Sequence, residues 1–268
     1  MPELPDVEGF RREFERHAAG KTVRAVHGVD SLMLHGSSPQ ALGRSLKNRR
    51  FARPRRHGKL LICETGGPTL LLHFGMTGCL VWDGETHPHD RLVLELGDGA
   101  LRYRDMRRLG GIWLARDDRE VERIVGRLGP DWLGVTRERF DELLDHRRGG
   151  IKAALMDQRF AAGLGNLTTD EALWRARIHP RRPVGALRPH DRDRLYRAIR
   201  RVLRDSLPHG RVPVKRTWLT GARDRRDATC PRCGARLERI TVAGRTSVVC
   251  RREQREGGAT RSTRSRSR

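Results

Sequence analysis

Long apolar runs are missing from this 268-residue chain. No stretch of about 18 consecutive apolar residues occurs, so we expect no membrane-spanning helix and no membrane partner. The N-terminal string MPELPDVEGF carries acids and prolines without an apolar centre, which argues against a secretory signal peptide. Together these absences predict a cytoplasmic protein whose length allows one large domain or two ordinary ones.

Cysteine is also scarce, with five residues in the chain. Cys63 and Cys79 lie in apolar runs and are expected to be reduced core residues. Cys230, Cys233 and Cys250 cluster late in the chain and are candidate metal ligands. This usage indicates an intracellular protein with a metal-binding unit rather than a disulfide scaffold.

Acidic residues are also few: the chain has 33 of them against 56 lysines and arginines, which gives a net charge of +23. Such an excess favours a polyanionic partner, and nucleic acid is the most common one. An arginine-rich surface that reflects codon usage alone is the alternative. Only five of the basic residues are lysines, so a lysine within a mid-chain motif is more informative than an arginine.

Hydrophobic periodicity divides the chain into regions. An amphipathic helix is predicted over 5–18, since Pro5 suits its first turn and Gly20 its end. Short apolar runs between Gly, Pro and Asp over about 22–115 predict an antiparallel sandwich or barrel. Apolar spacings of three and four residues predict helices after about 118. A small Cys-containing unit then follows, and the terminal residues have the composition of a disordered tail.

The N-terminus is itself a candidate reactive group. Removal of Met1 would leave Pro2 with a secondary amine, and α-amino groups titrate near about 7.7–8.0. The unprotonated fraction can attack an electrophilic carbon, and the positive end of the following helix favours the neutral amine. Glu3 is placed to transfer protons beside it. Taken alone, a Pro–Glu start is usually just a flexible chain end.

A series of ordered motifs carries a resemblance to a known family. PELPDVE follows Met1, and RHGKLL (56–61), HFGMTG (73–78), RYRDMRRLGG (102–111) and GLGNLTTDEALWRARIHP (163–180) come after it. CPRCG, GRT and a later Cys complete the series. The set, which spans most of the chain, resembles the formamidopyrimidine-DNA glycosylase/endonuclease VIII family.

The resemblance implies a multidomain α+β fold: an N-terminal helix plus antiparallel β-sandwich, a helix–two-turn–helix domain and a C-terminal zinc-finger-like β-hairpin. The expected segments are the catalytic sandwich domain at 2–117, the helix–two-turn–helix domain at 118–222, the finger-like hairpin at 223–253 and a disordered basic tail at 254–268. It further implies a monomer that binds double-stranded damaged DNA and is associated with the nucleoid.

The implied activity is that of a bifunctional DNA glycosylase and AP lyase of base excision repair. In the family, the proline amine attacks C1′ of the damaged nucleotide, the base leaves, and the resulting Schiff base leads to β,δ-elimination. Pro2 would be the nucleophile, Glu3 would transfer protons at the sugar, and Lys59 would contact phosphate or base beside the lesion. No organic cofactor is expected. Without the resemblance, Lys59 would be read as a solvated strand lysine.

A flipped nucleotide leaves a gap that protein side chains must fill. Met76 and Arg107 match two of the family's three gap-filling residues. Leu109 stands where the family usually has Phe, so it can wedge between bases but cannot stack as a ring. Without the resemblance, Met76 and Leu109 would be assigned to the core. The remaining expected DNA contacts are His89, Lys152, Asn166 and Arg245. Asn166 is also typical of a plain helix N-cap.

The chain departs from the family pattern in places. Asp6 replaces the usual Glu, which shortens its reach by one methylene. Cys230, Cys233 and Cys250 supply three ligands of the implied structural zinc ion, but Glu253 occupies the position of the fourth Cys. A site completed by Glu253 and a low-affinity or metal-free hairpin both remain open.

The segment between the last long helix and Cys230 is short. In enzymes specific for 8-oxoguanine, a longer loop there closes over the flipped purine, so formamidopyrimidines or oxidised pyrimidines are favoured here. A lyase-only or non-catalytic damaged-DNA-binding relative is the second hypothesis. An unrelated RNA-binding or ribosomal protein with a Cys finger is the third.

Overall fold

The computed structural model describes residues 1–256, and the chain separates into two compact units. The first unit comprises Met1–Val135, Asp157–Gly165 and Leu203–Val212, and the second comprises the remaining segments. The disordered tail predicted at 254–268 lies outside the described residues from 257 onward, whereas Gln254, at its predicted start, is buried and hydrogen-bonded. Within the described residues, no helix combines the length and apolarity needed to cross a membrane.

The first unit is built from short strands and three helices. Its elements are α1 (Leu4–His17), β1 (Ala25–His27), β2 (Leu34–His35), α2 (Pro39–Leu46), β3 (Arg55–His57), β4 (Leu60–Cys63), β5 (Thr69–His73), β6 (Cys79–Trp82), β7 (Asp90–Leu96), β8 (Gly99–Arg104), β9 (Gly111–Ala115) and α3 (Asp118–Val125). The predicted helix over 5–18 is thus present within one residue at each end.

These strands form two sheets, in the order β1-β7-β8-β6 and β2-β9-β5-β4-β3. All neighbouring strands pair antiparallel except β2 and β9, which pair parallel over two residues. The α+β class with an antiparallel sandwich is confirmed, with that single exception. Its main core includes Phe14 of α1 and Phe51, whose rings meet edge to face at 4.9 Å.

The second unit is helical and ends in a hairpin. Its elements are α4 (Arg137–Asp145), α5 (Ile151–Met156), α6 (Asn166–Arg175), α7 (Pro189–Ser206, with its last turn in the first unit), α8 (Leu219–Ala222), β10 (Glu238–Val242) and β11 (Arg245–Val249). Buried side chains of α6, α8 and the hairpin share one apolar cluster. Ala243 and Gly244 both have positive φ, as a two-residue turn between paired strands requires.

Candidate active site and nucleic-acid interface

Glu3 is the most firmly fixed of the predicted catalytic residues. It directly precedes α1 and is only 1% exposed, and the backbone N–H of Gly165 donates to its Oε2 at 3.1 Å. A Cβ at Gly165 would lie 2.4 Å from the Glu3 carboxyl carbon, so the backbone can approach this closely only at glycine. Half-buried Pro2 stands immediately before this carboxylate.

Asp6 closes the start of α1. Its Oδ2 accepts a hydrogen bond from the Glu3 backbone N–H at 2.8 Å, so Asp6 caps the helix despite its shorter side chain. Burial raises the pKa of Asp6 from 3.8 to about 6, and the charge of nearby Glu3 adds to the increase. Its charge therefore changes just below neutral pH, next to the catalytic segment.

Residues 162–165 connect the start of α1 with the turn that precedes Lys59. The Leu4 N–H donates to the carbonyl of Gly163 at 2.9 Å. At the other end, the turn at Gly58 has φ of 57° and packs so closely on Ala162 that a Cβ would come within 2.5 Å of the Ala162 Cβ. The segment thus orders Glu3 and the β3–β4 turn together.

An ion pair fixes that turn from its other side. Arg56 pairs with Asp131 at 2.5 Å, and Asp131 also accepts the N–H of Gly58 at 2.6 Å. The Arg56 guanidinium keeps the pKa of Asp131 below its usual value despite burial. Burial, followed by the charge of nearby Lys59, lowers the pKa of His73, so this imidazole is neutral at neutral pH.

A cavity of about 230 Å³ opens beside Lys59 and His73. Its remaining lining residues are Leu60, Trp113, Ile124, Arg127, Leu128 and Gln158. The walls are mainly apolar, with cationic groups from Lys59 and Arg127.

The structure brings two of the predicted gap-filling residues together. Arg107 Nη1 lies 3.5 Å from the sulfur of Met76. Leu109 is 49% exposed, so it is not the core residue that its type alone would indicate. The backbones touch as well, since a Cβ at Gly75 would lie 2.3 Å from the Leu109 carbonyl carbon.

Asp105 is the group that joins these two loops, and sequence reasoning missed it. Its fully buried carboxylate accepts from Thr77 Oγ1 at 2.5 Å, Arg107 N–H at 3.1 Å and Gly110 N–H at 2.9 Å. The signal was a lone acid within the basic string RYRDMRR. His89 lies nearby, because its carbonyl accepts the Asp105 N–H at 2.9 Å.

Lys152 lies in the second unit without exposed surface. Its Nζ donates to Asn166 Oδ1 at 2.6 Å, Asp170 Oδ1 at 2.6 Å and Ser247 Oγ at 2.5 Å. A buried ammonium is positioned to orient its neighbours rather than to meet a solvent-borne phosphate. The predicted direct contact of Lys152 with DNA is therefore not favoured by this geometry.

Asn166 and the hairpin are coupled through this lysine. Asn166 begins α6, is partly exposed, and donates from Nδ2 to the carbonyl of Thr246 at 3.0 Å. Arg245, the preceding residue, is exposed at the start of β11. The helix N-terminus and Arg245 are thus held near each other, an arrangement suited to a phosphate anion.

Three of the four candidate metal ligands converge. The sulfur atoms of Cys230, Cys233 and Cys250 lie within 4.8 Å of one another. These thiols could bind a zinc ion, but Glu253 does not belong to the group and instead pairs with two arginines. The residues present do not complete the four-ligand set of a structural zinc site.

Comparisons with known proteins place this geometry in a family. Residues 1–112 match the formamidopyrimidine-DNA glycosylase N-terminal domain, and residues 128–216 match the formamidopyrimidine-DNA glycosylase H2TH domain. The formamidopyrimidine-DNA glycosylase of Thermus thermophilus is 37% identical over 96% of this chain and 100% of its own length. That of Herpetosiphon aurantiacus is 34% identical over 93% of this chain and 98% of its own length.

Solved structures agree with the sequence relatives. The Lactococcus lactis formamidopyrimidine-DNA glycosylase bound to AP-site DNA superposes with a TM-score of 0.84 at 29% identity, over 95% of this chain and 100% of that one. MutM in complex with carbocyclic 8-oxo-G DNA gives a TM-score of 0.86 at 29% identity, with the same coverage. The fold and site thus define a DNA glycosylase of base excision repair. The chain belongs to the formamidopyrimidine-DNA glycosylase family, which confirms the resemblance in the sequence.

Proposed function

We propose that the chain excises oxidised bases from double-stranded DNA with the amine of Pro2 as nucleophile and then cleaves the strand as an AP lyase. The observation that carries the proposal is the fixed Glu3 carboxylate directly after Pro2, held by Gly165 and by the start of α1. A rigid proton-transfer group beside a reactive amine is what covalent catalysis at a sugar requires.

In the proposed reaction, the Pro2 nitrogen bonds to C1′ as the glycosidic bond breaks and the base departs with its electron pair. The product is an aminal, and breaking its C1′–O4′ bond, with a proton delivered to O4′, opens the sugar ring and leaves an iminium, the Schiff base. Loss of a C2′ proton then breaks the 3′ C–O bond, and a second elimination releases the 5′ side. Glu3 assists the proton transfers, and Lys59 contacts the nearby phosphate or base.

The other predicted residues take DNA-binding roles in this proposal. Met76, Arg107 and Leu109 fill the gap left by the flipped nucleotide, and buried Asp105 keeps their two loops together. Asn166 and Arg245 grip backbone phosphates, with Lys152 as their positioning residue. His89 contacts DNA from beside the Arg107 loop. The site acts on nucleoid DNA in the cytoplasm, and the enzyme acts as a monomer.

We favour formamidopyrimidines or oxidised pyrimidines over 8-oxoguanine as substrates. The segment 207–229 between α7 and Cys230 is short and already contains a 3-10 helix at Leu207–His209 and the four-residue α8, which leaves little length for a purine-covering loop. A zinc ion, where bound, would be held by the three finger thiolates and would take no part in the chemical steps.

Borohydride trapping tests the proposal. Mature protein lacking Met1 is incubated with duplexes that carry a formamidopyrimidine, an oxidised pyrimidine, an 8-oxoguanine or an abasic site, and the crosslink is mapped by mass spectrometry. We expect a complex through residue 2 on damaged-base duplexes. Pro2→Gly should retain DNA binding and lose most excision, whereas full excision by this variant would refute the nucleophile assignment.

Glu3→Gln should also lose excision, with Glu13→Gln on the same helix as the matched control. A complex only on the abasic duplex would favour the lyase-only alternative. A protein that binds DNA but gives no complex on any duplex would be a non-catalytic relative.

A further inference from the structure

Glu253 forms ion pairs and does not belong to the group of converging sulfur atoms. Its Oε2 lies 3.0 Å from both Arg177 Nε and Arg232 Nη1, it accepts a hydrogen bond from Arg232, and its side chain is 13% exposed. We call Arg177, Arg232 and Glu253 the carboxylate clamp.

The clamp is anchored to the core of the second unit. The Arg232 guanidinium stacks on the Trp174 ring at 4.3 Å and donates to the Trp174 carbonyl at 3.2 Å. The Trp174 indole N–H in turn lies 3.4 Å from the sulfur of Cys230. Arg232 therefore links Glu253 to the end of α6 and to the first cysteine of the finger.

The turn after Cys250, which carries the fourth-ligand position, is closed by hydrogen bonds. Both Glu253 N–H and Gln254 N–H donate to the Cys250 carbonyl, at 3.0 and 2.7 Å. Gln254 is 1% exposed; its side chain accepts from Cys250 N–H at 3.1 Å and donates to the Ile178 carbonyl at 2.9 Å. Protein groups alone thus supply four hydrogen bonds to this turn.

The hairpin that carries Arg245 packs on apolar surface as well. Leu237 and Val248 join Trp174 and Leu219 in one buried cluster with the finger cysteines. This burial supplies a driving force for folding that does not depend on an ion.

We propose that the finger of this protein folds and holds the Arg245 hairpin without a metal ion, with the carboxylate clamp and Gln254 in place of the fourth ligand. The three cysteines then act as small apolar side chains, with Cys230 and Cys250 buried in the apolar cluster and Cys233 partly buried against it. The folding of the finger does not depend on the Pro2 chemistry, so a failure of one proposal would leave the other unaffected.

Hydrogen exchange of the full chain, read by mass spectrometry, tests this inference. The protein is kept reduced and is compared after exhaustive chelation and after addition of zinc, with metal content measured in each sample. In the wild type we expect protection of Glu238–Val242 and Arg245–Val249 to be the same in both samples. Chelation that abolishes this protection would overturn the proposal.

Variants at one position separate the clamp from a metal role. Glu253→Gln should accelerate exchange of the metal-free hairpin by about tenfold or more, the factor expected when charge-assisted hydrogen bonds are lost. Glu256→Gln, at an exposed surface acid, is the matched control. Glu253→Cys completes a four-thiol set and should make protection zinc-dependent. Unchanged exchange in chelated Glu253→Gln would show that the clamp does not hold the finger.

Discussion

Replacing Asp6 with Asn should change how the stability of the first unit depends on pH. Asn cannot ionise, but its side-chain oxygen can still accept the hydrogen bond from the Glu3 N–H, so it mimics protonated Asp6. The pKa of Asp6 in the folded protein is raised to about 6, with burial as the main cause. Ionisation of Asp6 therefore lowers the free energy of unfolding, and Asn, which cannot ionise, avoids that loss.

The sign and size of the effect follow from linkage. A folded-state pKa above the unfolded one gives stability that is complete below the unfolded pKa and is lost as pH rises through the folded pKa. Since each tenfold change in an ionisation constant corresponds to about 1.4 kcal/mol, raising the pKa of Asp6 from 3.8 to about 6 gives roughly 3 kcal/mol. This is an upper value, because the amine of mature Pro2 lies nearer than that of Met1 and lowers this pKa.

Urea unfolding of the wild type and Asp6→Asn, followed by tryptophan fluorescence between about pH 4 and 8, measures the difference. Near pH 4 the two proteins should be equally stable. The free energy of unfolding of the variant should exceed that of the wild type by an amount that grows up to about pH 6 and stays constant above it. Glu13→Gln is the control for a general change of charge. A difference that does not vary with pH would refute the reasoning.

Three further predictions address other positions. Lys152→Met should lower the free energy of unfolding, measured by urea titration, by about 1–3 kcal/mol, because buried Asp170 would lose its ammonium partner and keep only the pair with Arg223; an unchanged midpoint would contradict the buried network. Gly165→Ala should reduce single-turnover excision by about a hundredfold while DNA affinity is retained, since the new Cβ displaces Glu3; wild-type excision would disprove that geometry. DNA affinity should fall roughly a thousandfold or more between about 50 and 200 mM salt if six or more phosphates are contacted. An affinity that does not change with salt would exclude phosphate contacts by the arginines.

Helices and strands that are specified by neighbouring residues could be predicted from the sequence. The helix at 5–18 was predicted because Pro5, an apolar stripe and a terminal glycine all agree, and α1 appears at Leu4–His17. The strand-rich region likewise followed from short apolar runs. The parallel pairing of β2 with β9 could not be predicted, because the partners Leu34 and Ile112 lie far apart in sequence and no local signal specifies direction.

Site residues could be predicted where a sequence motif identifies the side chain. They were harder to predict where the role of a side chain depends on its burial in the folded protein. The motifs identified Glu3, and its burial agrees with a fixed proton-transfer group. Lys152 was predicted as a DNA contact from the family resemblance alone, but tertiary packing encloses it. Glu253 was considered as a ligand from its spacing alone, since the arginines that pair with it come from other segments.

Two buried charged groups of this protein, Asp105 and Lys152, each hold neighbouring groups in place through hydrogen bonds. Burying a carboxylate or an ammonium costs several kcal/mol unless hydrogen bonds and opposite charges compensate. Asp105 is fully buried, and its three hydrogen bonds hold the loops of exposed Arg107 and Leu109. Lys152 holds Asn166 beside the hairpin in the same way. An apolar replacement would fill the same volume without fixing the partners, so the buried charges of Asp105 and Lys152 are better explained by positioning the side chains proposed to bind DNA than by stability.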